Sequence, residues 1–264
     1  MKKLLLLLLP LLCVSLLSGF TTGKSLLFAD SFMLRAQGTE ALYFNPALLH
    51  PGYSDIMLPA VNSAAFVANN SFDLDTYNYI MRSDYLDDED KAMILGKIDN
   101  KLQADTEVHT SVFGYTVGNL GLGSSLHLYA RSMFSKQYLE LLLYGNQDSL
   151  YVFDKKENDL SLLSFGDITF GMGDLKVGPK EKPWFKFGFS GSLLIGIEDI
   201  NTKSYNGSFS SNLDGLSFSQ DIVLDTGLLG LGFKGMLGAV AEPIPNLTVG
   251  VTVDNILGGI GWFG

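Results

Sequence analysis

The chain carries few of the side chains that do covalent chemistry. Its three histidines are His50, His109 and His127, and none stands at a zinc-building spacing such as H-E-x-x-H. No G-x-S-x-G elbow presents a serine, and no nucleophile, base and orienting group come as a set. The sequence points away from an enzyme and implies no cofactor and no metal. Gly230-Leu231-Gly232-Phe233-Lys234-Gly235 matches G-x-G-x-x-G, but that loop must turn from a strand into a helix to offer amides to a pyrophosphate. Here it lies inside an alternating stretch that reaches Pro243, so Gly230, Gly232 and Gly238 read as small residues on the inward face of a strand, where another segment packs close. Gly23-Lys24-Ser25 looks like the end of a P-loop, yet Ser18 stands where the first glycine belongs. What remains is a set of polar side chains on one parity of extended stretches: His127, Tyr129, Arg131, Lys186, Glu198, Lys234, Glu242 and Asp254. Such groups either pair with one another across a lumen or guide a solute.

The stretch that positions them best is Trp184 to Asp199. Phe185, Phe187, Phe189, Leu193, Ile195 and Ile197 fall on one parity, and Lys186, Gly188, Ser190, Ser192, Gly196 and Glu198 on the other, broken only by Leu194. A period of two is an extended strand with one greasy and one small or polar face. Leu122, Leu126, Leu128 and Ala130 alternate in the same way with Gly123, Ser125, His127, Tyr129 and Arg131. Residues 229–242 and 247–254 repeat the pattern around a turn at Pro243–Asn246. The greasy face meets either lipid or a second sheet, and alternation alone fits both.

Composition and connections weigh on that choice. Charged residues make up 17% of the 264-residue chain and the net charge is −10. The low charge suits much buried or lipid-facing surface, and the negative balance argues against nucleic-acid partners, whose phosphates need Lys and Arg. Lys2 and Lys3, the apolar run Leu4–Leu17 and the small residues at Thr21 and Gly23 read as a secretory signal peptide over 1–23, with a retained anchor as the alternative. Cys13 is the sole cysteine and follows Leu12, so lipidation is not expected. Short turns fall near Gly118, Gly178 and Pro243, whereas long excursions occupy 69–103, 132–163 and 199–226. Outer-membrane barrels sort their connections in this way. A first strand is expected over Ile56–Ala68, an acid-capped helix within Asp84–Leu102, a short helix over Lys136–Tyr144, and a polar loop or hairpin over Asn201–Asp225.

Glu40-Ala41-Leu42-Tyr43-Phe44-Asn45-Pro46-Ala47-Leu48-Leu49 resembles the N-terminal signature of FadL-like outer-membrane barrels, the long-chain fatty acid and hydrocarbon transporters and their relatives. Gly238 to Leu257 resembles a recurrent hairpin of the same family. Leu48 stands where that family has Gly, and the preceding arm is shorter. The resemblance implies a transmembrane antiparallel β-barrel with short helices in the plug and loops. It places an N-terminal plug-like arm over 24–55, with Asn45, Pro46 and Ala47 as its motif, and barrel strands over 56–264. It implies outer-membrane lipid and a hydrophobic small molecule such as a fatty acid as partners. About seven crossings are countable, whereas bacterial barrels have an even number, so the expected barrel lacks its C-terminal part or hides a strand near Ser149–Phe153. Two other roles stay open: a non-transporting barrel serving as a surface anchor or secretion partner, and a periplasmic β-sandwich that binds lipid or glycan.

Overall fold

A computed structural model describes Ser25 and residues 31–60, 62–147, 149–179, 181, 183–212 and 215–263. The leader expected over 1–23, with Gly23 and Lys24, lies outside the described residues. The strands are β1 (Asp55–Met57), β2 (Ser63–Asn69), β3 (Lys101–Val117), β4 (Leu120–Ser135), β5 (Leu150–Asp154), β6 (Asp159–Val177), β7 (Phe185–Asn212), β8 (Gly215–Ile244) and β9 (Leu247–Trp262). All pair antiparallel in one sheet of order β1-β3-β4-β6-β7-β8-β9, with β2 also on β3 and β5 also on β7. The sheet is not closed among the described strands. No helix among the described residues is long and apolar enough to cross a membrane, which says nothing of strands.

One face of this sheet is uncovered and apolar. Phe185, Phe187, Phe189, Leu193, Ile195 and Ile197 are each 38–47% exposed, whereas Gly188, Ser190, Ser192, Leu194 and Gly196 between them are buried. The register carries the apolar rows across strands: Tyr115 lies opposite Leu122 and Leu122 opposite Phe170; Ile168, Leu193 and Phe233 follow one another, as do Phe189, Leu237 and Val253. No second sheet covers these side chains among the described residues, so the layered arrangement of a β-sandwich is not what they form.

The other face is covered by the N-terminal arm. Residues 31–48 coil through short 3-10 turns at Ser31–Leu34, Gly38–Glu40 and Pro46–Leu48 and one helical turn, α1 (Ala41–Phe44). Phe32, Ala36, Ala41, Leu42, Tyr43 and Leu49 form the buried apolar cluster. The arm sits on a floor of glycines that takes at least one from each long strand. A Cβ at Gly114 would meet Thr39 at 2.7 Å, at Gly121 Leu42 at 2.9 Å, and at Gly171 Leu42 at 2.6 Å. At Gly173 and Gly188 it would strike the Pro46 backbone, at Gly238 Asn45, and at Gly250 Leu34. Gly238 thus faces the N-terminal arm. Gly230 and Gly232 do not: they are closed over by Ile260 and the Gly259 carbonyl of β9.

The excursions gather at one end. Helices α2 (Leu74–Arg82), α3 (Asp88–Gly96) and α4 (Lys136–Tyr144) interrupt the sheet there. Asp87 and Asp90 form a reciprocal capping box on α3, which is the acid-capped helix expected; Tyr79 Oη donates to Asp90 Oδ1 at 2.6 Å and ties α2 to it. Tyr144 Oη donates to the Asp88 carbonyl at 3.2 Å, so α4 meets α3. Gly145, at φ 71°, ends α4.

One expectation is corrected and two segments gain detail. The first strand breaks into β1 and β2 at Ala60, whose φ is +61°, because its amide turns to the Ser111 carbonyl beside an irregularity in β3. Helix α2 was not foreseen, although Asp73 caps it through the Thr76 amide at 2.7 Å. Of the two forms expected for 201–225, loop or hairpin, the chain takes the hairpin: β7 and β8 stay paired from Lys186–Val240 out to Asn212–Gly215.

The glycine floor generates a prediction. Gly188→Val should unseat the N-terminal arm, since overpacking costs about 1–3 kcal/mol, and cleavage by trypsin at Arg35 in detergent should rise about 5- to 150-fold. Gly191→Ala, which faces the Phe233 ring at 3.3 Å on the outer side, should leave cleavage at the wild-type rate.

Candidate functional site

The Asn-Pro-Ala motif is a self-capped turn. Asn45 is extended (φ −162°) and its Oδ1 accepts the Ala47 amide at 3.1 Å. Pro46 follows at the first position, where no N–H is needed. Asn45 is fully buried, and Ala47 is small enough to keep the turn against the floor.

Beyond the motif, the concave face holds a chain of buried polar groups. His109 Nδ1 lies 2.8 Å from His127 Nδ1, and His127 Nε2 lies 2.6 Å from Asp167 Oδ2. Tyr43 Oη of the N-terminal arm donates to Asp167 Oδ1 at 3.1 Å. Thr169 Oγ1 donates to the same oxygen at 2.8 Å and lies 2.7 Å from Ser192 Oγ. His127 Nε2–H donates to the carboxylate, and the two Nδ1 atoms share one proton between the rings. Asp167, 1% exposed, then accepts from three donors, which offsets its loss of water. Burial, and then the Asp167 charge, push the Tyr43 phenol above its usual range, so it remains a donor.

Register explains the histidine pair. Val117 lies opposite Leu120 across the Gly118–Asn119 turn, and an unbroken ladder would set His109 opposite Leu128 on the outward face with Phe113, Tyr115 and Val117. The irregularity between Ser111 and Phe113 in β3 shifts the ladder by one residue. His109 therefore turns inward, directly opposite His127. A one-residue slip moves every following side chain to the other face.

The remaining expected residues divide into groups. His127, Tyr129, Lys234 and Asp254 line one cavity of about 390 Å³ on the concave face. Lys186 and Glu242 line a second, of about 480 Å³, below the motif near Ala47 and His50. Lys186 is paired with Asp174 at 2.8 Å and Arg131 with Asp105 at 2.6 Å. Glu198 is a correction: at Ile197 and at Leu229 (φ 57°) the alternation slips, and Asp199 takes its place in the cavity wall. His50 accepts the Gly52 amide at 3.1 Å in a local turn. Asp167, Thr169, Ser192 and Tyr43 were missed as site residues. The signal for the first two was present, because Ile168, Phe170 and Met172 on one parity leave Asp167 and Thr169 on the other. Among the described residues no group of three or more His, Cys, Asp and Glu could hold a metal ion. Gly230 to Gly235 lie within β8 with no helix after them.

Residues 46–262 match a family of unknown function, DUF5723, and the chain belongs to it. The match runs from Pro46 of the motif to Trp262 of β9. No curated protein and no solved structure matches the chain.

Asp167 should matter more than any one of its donors. Tyr43→Phe removes one of the three donors to the carboxylate and should cost about 1.5–3 kcal/mol. Asp167→Ala strands three donors and should cost at least about 3–5 kcal/mol, as for breaking a buried pair. Urea unfolding in detergent measures both, and equal losses would contradict the convergent arrangement.

Proposed function

We propose that this member of the DUF5723 family is an outer-membrane β-barrel protein whose plugged lumen passes hydrophobic small molecules, fatty acids among them. The observation that carries the reading is the inverted sheet: a continuous uncovered apolar face outward, and glycine, serine and a polar chain inward against a plug. Residues 185–197 rise about 40 Å along the strand, and a tilt of about 40° projects this to about 30 Å, the thickness of the hydrocarbon layer. The sorted connections agree, with tight turns at one end and helices and the long β7–β8 hairpin at the other. The leader expected over 1–23 fits export. The likeness of Glu40–Leu49 and Gly238–Leu257 to FadL-like barrels supports passage of hydrophobic molecules past the plug.

The membrane setting imposes a requirement. Each unpaired backbone group in hydrocarbon costs several kcal/mol, so the edges at β1/β2 and β9 must be paired there by strands other than those described. A second role, surface anchor or secretion partner, draws on the 28 residues of β7 and 30 of β8. At about 3.3 Å per residue these arms run to about 90 Å or more, well past the apolar band. Co-purification of a stoichiometric protein partner would favour that role.

The protein should stay in the membrane pellet through high-salt and carbonate washes and leave only with detergent; release by salt alone would contradict the reading. Phe189→Arg should destabilise the embedded protein by about 2–4 kcal/mol, as for a cation near the bilayer midplane. Cells carrying the gene should take up labelled long-chain fatty acid faster than null cells, and equal rates would remove the passage role while leaving the barrel.

A further inference from the structure

The 390 Å³ cavity on the concave face is built differently from the rest of the lumen side. Its floor is a shelf of near-parallel rings. His127 and Phe165 stack at 4.7 Å and 17°, and Phe165 and Tyr129 at 6.1 Å and 16°. Trp262 of β9 closes the cavity from another side. Its indole is seated on glycines: a Cβ at Gly196 would meet it at 2.6 Å and one at Gly227 at 2.9 Å. The indole is thus held in place before any ligand arrives. A cavity of a few hundred Å³ with rigid apolar walls and a few polar groups is the usual form of a small-molecule site.

The charges in its wall are of both signs. Arg131 and Lys186, the other two cations expected inside, have ion-pair partners. Lys234 has no ion-pair partner among the described residues, yet it lines this cavity together with Asp254. Asp254 Oδ1 accepts the neighbouring Asn255 amide at 2.7 Å, which leaves its second oxygen. Asp199 also lines the wall, with one oxygen taken by Asn201 at 2.7 Å. A purely anionic ligand would meet the two carboxylates, and a purely cationic one would meet the lysine. A ligand carrying both charges satisfies both ends without bringing net charge into a wall of low dielectric.

We propose that this cavity binds a small zwitterion with an aromatic body, of the α-amino-acid class. The carboxylate goes to Lys234, the ammonium to Asp254, and the ring lies between the His127–Phe165–Tyr129 shelf and Trp262. The inference goes beyond passage of hydrophobic molecules. It rests on the concave face alone, so it stands or falls apart from whether the outward face meets lipid.

The test uses the full chain in detergent. The chain has two tryptophans, and Trp184→Phe, at an exposed position away from the cavity, leaves Trp262 as the sole reporter. Phenylalanine, 3-phenylpropionate and phenethylamine share the ring and differ only in charge. Phenylalanine should change Trp262 fluorescence saturably, with an affinity at least about tenfold above either analogue, the worth of one charge-assisted contact. Lys234→Met should bring phenylalanine down to the level of phenethylamine, and Asp254→Asn to that of phenylpropionate. No saturable change, or an analogue that binds as tightly as phenylalanine, overturns the proposal. The ligand series on unaltered Lys234 and Asp254 decides the matter even where a variant fails to fold.

Discussion

Phe185, Phe187, Phe189, Leu193, Ile195 and Ile197 leave β7 on the side away from the plug, and no described residue layer covers them. That single constraint orders the rest. A strand can turn only one of its faces toward the protein, so with the large apolar side chains outward the interior must be made from the small ones. A wall of glycine and serine has little volume and cannot fill its own concavity. The N-terminal arm supplies the missing volume through Phe32, Leu42, Tyr43 and Leu49, and the glycine floor lets its backbone approach the wall. The self-capped Asn45–Pro46–Ala47 turn is the compact piece that fits where β6, β7 and β8 come nearest.

Asp167 then does for the polar side what the glycines do for packing. It joins β3 and β4 through the two histidines, β7 through Thr169 and Ser192, and the plug through Tyr43. A buried carboxylate is tolerable only with its acceptor capacity used, and here the plug provides one of three donors. Plug and wall are therefore coupled electrostatically as well as by shape. Ser190, whose hydroxyl donates to the Leu42 carbonyl at 2.9 Å, adds a second polar tie.

Much of this was legible from periodicity. The two faces of β4, β7, β8 and β9, the tight turns, helix α4 with its closing Gly145 and the antiparallel all-β class follow from spacing two, spacing 3.6 and turn chemistry. What escaped was set by partners distant in the chain. Pro59, which cannot donate to a ladder, is the only local hint of the break at Ala60, and the left-handed backbone there is held by the distant Ser111 carbonyl. The Ser- and Asn-rich arms of 201–225 read as loop or hairpin alike, because their strand preference is weak and each arm is held by the other. The histidine pair depends on a one-residue irregularity near Val112 that no composition reveals, and Asp199 replaces Glu198 for a similar reason at Ile197. The polar residues expected on the inner face were sorted by parity alone. Parity separates faces but not partners, so it could not tell the paired Arg131 and Lys186 from Lys234.

What the outward face touches decides the rest, and spin labels placed one at a time along β7 report it most directly. The only cysteine, Cys13, lies in the expected leader, so single cysteines can be introduced at 187 to 195 without interference. In reconstituted vesicles, labels at Phe187, Phe189, Leu193 and Ile195 should collide with dissolved oxygen and not with a water-soluble nickel chelate. Labels at Ser190 and Ser192 should lose the oxygen contact, giving a period of two. Equal access of the nickel chelate to the phenylalanine positions, or shielding of them from both reagents, would contradict the account.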